Sequence, residues 1–240
     1  MTAAAFAAPT AKNLYVGTMR TLGRAATATG LADFLEDRRD RRWAHWALSL
    51  FSIHDIDGLV RLGVPWWSYG AIETVDRFLG QRPNARVFEW GSGASTIWLA
   101  YRAAEVISVE HDAGWADIPA SRLERFSNVT LALAEPDEEP HDQPLYLSQK
   151  PGRVGDSFYD YATAIENVPG GSFDLIVIDG RARQACLDHA IDHLAPGGLI
   201  VFDNSGRDRY RRAIEKSGLA SRTYRGLTPS LPYPDETTLL

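Results

Sequence analysis

Residues 87–96, Val-Phe-Glu-Trp-Gly-Ser-Gly-Ala-Ser-Thr, constrain the fold more than any other stretch of this chain. A short apolar run ends in an acid, Glu89. A tight turn follows at Gly91 and Gly93, and Ser95 stands where it would cap a helix carrying Ile97, Trp98 and Leu99. Strand, glycine turn and helix form the unit with which α/β folds bring backbone close to a nucleotide-like ligand. Downstream, strand-like runs at 86–89, 106–110, 129–133, 174–179 and 199–203 alternate with helical patterns at 95–104, 118–126, 159–166, 183–194 and 207–217. Several of the runs are continuously apolar, as in parallel strands buried on both faces. The repeated β-α units predict a Rossmann-like, doubly wound, mostly parallel sheet. Pro196-Gly197-Gly198 is expected to break the chain before the last of these strands.

The flanks read differently. Residues 1–83 are helical in pattern, with Ala44, Ala47, Leu48 and Phe51 on one face and Ile72, Val75 and Phe78 on another. The expected division is an N-terminal helical extension over 1–83 and a ligand-binding domain over 84–240. Residues 135–156 hold Pro136, Pro140, Pro144 and Pro151 and an acid cluster, which suits either a lid or a surface loop. Two short strands near Thr223 and at 237–240 would close one sheet edge as an antiparallel pair. The run Arg38-Arg39-Asp40-Arg41-Arg42 reads as a solvated helix face.

Bulk properties exclude several classes. The 240 residues carry a net charge of -6, so nucleic acid is not an expected partner. Cys186 is the single cysteine; it permits no internal disulfide, fits a reducing cytoplasm and reads as packing. No apolar run reaches the roughly 18 residues of a membrane span. Met1 to Pro9 lacks the basic start of a signal peptide and reads as a frayed tail. The apolar N-terminal helices suit a homodimer contact.

Two ligand classes compete for the glycine turn. A dinucleotide calls for a third glycine where Thr96 stands, and Glu89 would repel its diphosphate. S-adenosylmethionine has no phosphate; an acid favours its ammonium and sulfonium, and turn amides can accept its carboxylate. Glu110, at the tip of the second strand, suits ribose hydroxyls in either case.

Phe88-Glu89-Trp90-Gly91-Ser92-Gly93, Val109-Glu110-His111-Asp112, the run 174–179 and Pro196-Gly197-Gly198 together resemble the class I S-adenosylmethionine-dependent methyltransferases. The resemblance spans about residues 70–240. It implies a seven-stranded sheet whose last strand is antiparallel. It also implies that Glu89, Gly91, Ser92, Gly93 and Ser95 hold the methionine end of the cofactor, Glu110 the ribose, and the segment at Glu135 the adenine. A nicotinamide-dependent oxidoreductase and a non-catalytic nucleoside-binding module are the competing readings.

The acceptor side rests on two strand ends, Ile178-Asp179-Gly180 and Phe202-Asp203-Asn204. Asp179, Asp203 and Asn204 could converge there as oxygen donors for Mg²⁺, similar to the triad of cation-dependent catechol-type O-methyltransferases. That subfamily has a lysine soon after its first aspartate, where this chain has Arg181 and Arg183. A metal-free polar site is the equal alternative, with Asp179 or His111 as base. Arg181 and Arg183 also suit a carboxylate or phosphate on the acceptor. Trp66, Trp67 and Tyr69 would either stack on the acceptor or form a core layer; His189 and His193 read as solvated helix residues. The expected activity is methyl transfer to a small molecule, at oxygen, on a natural-product, sugar or phenolic acceptor.

Overall fold

A computed structural model describes residues 18–19, 21–52, 56–150 and 152–240. The expected frayed tail and Pro151 lie outside these residues. Seven strands form one sheet: β1 (Arg86–Trp90), β2 (Glu105–Glu110), β3 (Val129–Leu133), β4 (Phe173–Ile178), β5 (Leu194–Asp203), β6 (Arg222–Gly226) and β7 (Asp235–Leu239). Their order is β3-β2-β1-β4-β5-β7-β6, and β7 runs antiparallel to both of its neighbours. The reversal from β1 outward in two directions leaves a crevice at the carboxyl ends of β1 and β4, where open α/β sheets bind ligands.

The sheet is buried on both faces because its central strands are apolar at most of their interior positions. Val87, Leu175, Val177 and Val201 pack into one core layer; Phe88, Trp90, Ile176, Ile178, Ile200 and Phe202 pack into the other. The helices in chain order are α1 (21–28), α2 (Leu31–Glu36), α3 (Arg42–Ser49), α4 (Ile56–Leu62), α5 (Tyr69–Gly80), α6 (Ala94–Ala100), α7 (Ala113–Leu123), α8 (Tyr159–Thr163), α9 (Arg183–Asp192) and α10 (Asp208–Ser217). Residues of α5 and α6 belong to the first layer, and residues of α8, α9 and α10 to the second.

Strand alternation fixes where the acids stand. Glu89 follows Val87 by two positions, and Asp179 and Asp203 likewise follow Val177 and Val201. Val177 pairs with both Glu89 and Val201 in register. Three carboxyl groups therefore leave the ends of adjacent strands on the same face.

Several expectations need revision. Ser95 lies within α6 and does not cap it; Gly93 precedes the helix, and its amide donates to Thr96 Oγ1 at 2.9 Å. Pro196-Gly197-Gly198 lies inside β5, where the β4 pairing shifts register between Phe173 and Leu175, so the strand accommodates the break as an irregularity. The basic run at 38–42 occupies an exposed turn between α2 and α3 and only its last residue is helical, because Asp37 already closes α2.

The N-terminal segment is tied to the sheet by polar links. Trp46 Nε1 donates to the Leu231 carbonyl at 2.9 Å, and the Ser230 amide donates to Ser49 Oγ at 2.9 Å. The Ser68 amide donates to Thr237 Oγ1 at 3.0 Å. Trp67 is fully buried and meets Trp98 edge-on at 5.9 Å. Trp67→Ala should therefore lower unfolding free energy by about 3–5 kcal/mol in a denaturant titration, whereas a loss below 1 kcal/mol would place this ring outside the core.

Candidate functional site

Glu89 is the centre of the glycine turn. Its carboxyl is fully buried. Thr96 Oγ1 donates to Oε2 at 2.6 Å and Ser108 Oγ donates to the same oxygen at 2.7 Å. Oε1 is buried and has no hydrogen-bond partner among the described residues. A buried carboxylate oxygen left without a donor is costly, so this atom is an acceptor in want of a ligand donor. Burial pushes the Glu89 carboxyl up to about 7, against the lowering effect of the Ser108, Ser95 and Thr96 hydroxyls.

Thr96 and Ser108 carry weight that sequence reading missed. Thr96 occupies the place of a third dinucleotide-binding glycine, and its hydroxyl links the Gly93 amide to Glu89. Ser108 lies opposite Glu89 in the β1–β2 register. The available signals were a hydroxyl seven positions after the acid and a lone serine in an otherwise apolar second strand.

Gly91 lets the turn close. It sits at φ 98°, and a Cβ there would meet the Asp179 carbonyl carbon and the Gly180 nitrogen at 2.9 Å each. Only glycine combines that dihedral with so close an approach. The Gly91 amide donates to the Val109 carbonyl at 2.9 Å and the Asp179 amide to the Trp90 carbonyl at 2.9 Å, which locks the ends of β1, β2 and β4 together.

Glu110 is also buried, and its oxygens organise the surrounding loops. Oε2 accepts the Ser92 amide at 2.9 Å; Oε1 accepts the His111 and Asp112 amides at 2.8 and 3.0 Å. His111 Nδ1 lies 2.6 Å from Oε1, and His111 Nε2 accepts a hydrogen bond from Arg181 Nε at 3.0 Å. The Nδ1–Oε1 approach does not form a hydrogen bond, so Arg181 is the side chain that holds the ring through Nε2 among the described residues. Glu135 is exposed just beyond β3.

The second constellation is organised by an arginine. Arg183, 7% exposed, donates from Nη2 to Asp179 Oδ1 at 2.8 Å and to the Asp179 carbonyl at 2.8 Å, while Nε donates to the Gly180 carbonyl at 3.0 Å. Its Nη1 donates to the Asp203 carbonyl and lies 3.8 Å from Asp203 Oδ2. Asp203 Oδ1 accepts from Thr237 Oγ1 at 2.8 Å. Asn204, at φ 50°, turns its amide away to Asp235 at 2.8 Å. The acids expected to converge on Mg²⁺ thus converge on a guanidinium, and Asn204 is not directed at them. Among the described residues no group of three or more His, Cys, Asp or Glu could hold a metal ion. This donor set does not fit a divalent cation.

Burial raises the Asp179 carboxyl, with Arg183 opposing; burial and the Asp179 charge raise Asp203 further. Both carboxyl groups are thus held above the usual carboxylate range, Asp203 more strongly than Asp179.

The remaining candidates scatter. Trp67 belongs to the core, and its buried indole N–H has no hydrogen-bond partner among the described residues. Trp66 stacks on Trp115 at 6.2 Å between ring centroids. Tyr69 Oη pairs with His45 Nδ1 at 2.7 Å, away from the strand ends. His189 is bound by Glu166 at 2.7 Å and Tyr146 at 3.1 Å, and His193 by the Gly171 carbonyl at 2.8 Å, so neither is merely solvated. Cys186 is fully buried, and burial pushes its thiol far up, as packing requires. The proline-rich segment is tied down: Asp137 accepts the Tyr159 and Asp160 amides at 2.7 and 3.1 Å, and Leu147 bridges to Ser157. Among the described residues no helix is long and apolar enough to cross a membrane.

The profile of a family described as "Methyltransferase domain" matches residues 88–205. No curated protein sequence matches the chain. Among solved structures, a precorrin 8w decarboxylase from Methanobacterium thermoautotrophicum aligns at 17% identity over 71% of this chain and 89% of that one, with a TM-score of 0.51. An S-adenosylmethionine-dependent O-methyltransferase from Thermotoga maritima aligns at 14% identity over 77% and 69%, TM-score 0.49. A putative methyltransferase from Streptococcus mutans in complex with S-adenosylhomocysteine aligns at 14% over 70% and 96%, TM-score 0.48. At 17% identity the likeness to the precorrin 8w decarboxylase speaks to the fold alone.

Glu89 gives this site a measurable pH signature. The folded state holds its proton more tightly than the unfolded chain, whose carboxyl titrates near 4.5. Stability should therefore fall as pH rises from about 4.5 to 7 and level off above, with a Glu89 contribution of roughly 3 kcal/mol. Denaturation of the wild type and of Glu89→Gln across that range isolates the contribution; parallel curves would show that Glu89 titrates normally.

Proposed function

We propose that this chain, a class I S-adenosylmethionine-dependent methyltransferase, methylates a small molecule at oxygen and does so without a metal ion. The observation that carries the reading is the unpartnered, buried Oε1 of Glu89 beside a glycine turn that admits close approach. A ligand ammonium fits that oxygen, and ionising Glu89 in its presence recovers the cost of burying the charge. A dinucleotide would bring a diphosphate to the same carboxyl.

S-adenosylmethionine supplies an electrophilic methyl carbon on a sulfonium. The chain's own residues bind and orient. In this reading Glu89, Gly91, Ser92, Gly93 and Ser95 take the amino-acid end, and Glu110 takes the ribose with the one Oε2 lone pair that the Ser92 amide leaves over. Glu135 stands at the adenine end. Glu110 acts twice, since the amides of Ser92, His111 and Asp112 that it gathers also shape the loop.

Asp179 is the group best placed to take the acceptor proton. Its carboxyl is raised by burial, which brings it closer to the pH at which a base works well. Arg183 holds Oδ1 and so fixes its orientation. His111 is the second base: release of Arg181 from Nε2 would free that lone pair. Arginine stays protonated and is not itself a base.

Calorimetry of the purified chain with S-adenosylmethionine should show one site, weakened at least tenfold in Glu89→Ala; no heat or thermal shift at millimolar ligand would contradict the reading. Excess EDTA should leave turnover unchanged, and loss of turnover restored by Mg²⁺ would refute metal independence. Arg183→Met should cost about 3–5 kcal/mol of stability in denaturant titrations by stranding two buried carboxyl groups, and a loss under 1 kcal/mol would show the network to be dispensable.

A further inference from the structure

A cavity of about 710 Å³ is lined in part by Arg181, whose Nε also bonds His111. Its walls come from the 144–150 segment, the 180–184 turn that starts α9, and the first turn of α10. On a chain of net charge -6, this wall is basic: Lys150, Arg181, Arg207 and Arg209 line it. The acid among its described lining residues is Asp208, whose side chain is 85% exposed and pairs outward with Arg211 at 4.0 Å. Arg183 also reaches the wall, but its charge is already matched by Asp179 and Asp203.

The basic groups converge. Arg207 Nη1 lies 3.5 Å from Tyr210 Oη and Arg209 Nη2 lies 3.2 Å from it. Arg209 Nη1 donates to Gln149 Oε1 at 2.8 Å, which pins the proline-rich segment across the cavity. Burial alone would raise the Tyr210 phenol, yet the Arg183, Arg209 and Arg207 charges outweigh it and bring it down. Two of those guanidinium groups, Arg207 and Arg209, lie within hydrogen-bond distance of the phenol itself. Burial lowers Arg181, and the neighbouring Arg183 and Arg153 charges act in the same sense. Two ten-residue helices, α9 and α10, also begin at this wall without side-chain caps, and their amide ends add partial positive charge.

From this convergence we propose that the methyl acceptor carries an oxyanion group, and that Arg181, Arg207 and Arg209 seat it in this cavity. The inference rests on the methyltransferase reading for the word acceptor, and on the cavity alone for the word oxyanion. Arg181 is the shared wall: its Nε holds His111 on the cofactor side, and its side chain lines the anion side. Gly180 lines the cavity directly after Asp179, so an acceptor anchored here projects its uncharged part toward the proposed base. The Arg181–His111 bond links the two sites, because an anion that draws Arg181 into the cavity frees His111 Nε2.

Three probes separate the sources of such a group: inorganic phosphate, sulfate and acetate, each titrated into the full chain at constant ionic strength set with chloride. Thermal shift should show saturable stabilisation by at least one, and the tightest names the class. Arg207→Glu should weaken it at least tenfold, Arg181→Gln should weaken it severalfold, and Arg41→Glu, an exposed charge change in the α2–α3 turn, should leave it unchanged. Near-ultraviolet circular dichroism of each variant checks folding independently of ligand. No saturable response to any probe, or equal weakening in Arg41→Glu, overturns the inference. Calorimetry with S-adenosylmethionine separates the two claims. Cofactor binding without anion binding defeats the inference and leaves the methyltransferase reading standing. Anion binding without cofactor binding defeats the reading and, with it, the assignment of the cavity to a methyl acceptor.

Discussion

Among the described residues, the Glu89 carboxyl accepts two hydroxyl donors on one oxygen and has none for the other, in a position with no exposure to water. Much of the surrounding turn follows from keeping that group in place. Thr96 can donate to Glu89 only because α6 begins one residue after Gly93, and it receives the Gly93 amide in return. Ser108 reaches the same oxygen because parallel pairing sets it opposite Glu89. Gly91 must have no side chain, since the Asp179–Gly180 peptide presses against it. The turn holds a buried acid and bears the cost in a raised pKa.

The Asp179–Arg183–Asp203 cluster is the same problem solved with a resident cation. Buried acids at adjacent strand ends repel, and something must neutralise them. A guanidinium carried by the first residue of α9 does so with a planar fork that reaches two strand ends at once. Ala182, at φ 41°, makes the turn that aims Arg183 back at the sheet while Arg181 points to His111. Thr237 completes the cluster from β7, and its hydroxyl also accepts the Ser68 amide, so the N-terminal segment is linked through one residue to the Asp179–Arg183–Asp203 cluster.

Strand positions were legible because buried parallel strands write themselves as short apolar runs, and the predicted starts and ends of β1 to β4 fall within one residue of those observed. Glu89, Gly91 and Glu110 were legible because the turn needs those residue types in that order. What escaped was pairing at a distance. Nothing local in Asp179 and Asp203 says whether a metal or an arginine lies between them; the contact depends on the left-handed turn at Ala182. Pro196-Gly197-Gly198 looked like a boundary because propensity is local, whereas pairing with β4 carries the strand through it. The basic cavity was invisible for the same reason, since Lys150, Arg181 and Arg207 come from three separate segments.

The account turns on whether Glu89 waits, partly protonated, for a cationic donor. S-adenosylmethionine binding measured near pH 7 by calorimetry, in buffers of different ionisation enthalpy, reads this directly. With a free-state pKa of about 7, binding should release about half a proton, as linkage requires when a ligand favours the ionised acid, and the release should vanish in Glu89→Gln. Binding with no proton release, or with proton uptake, would contradict the account.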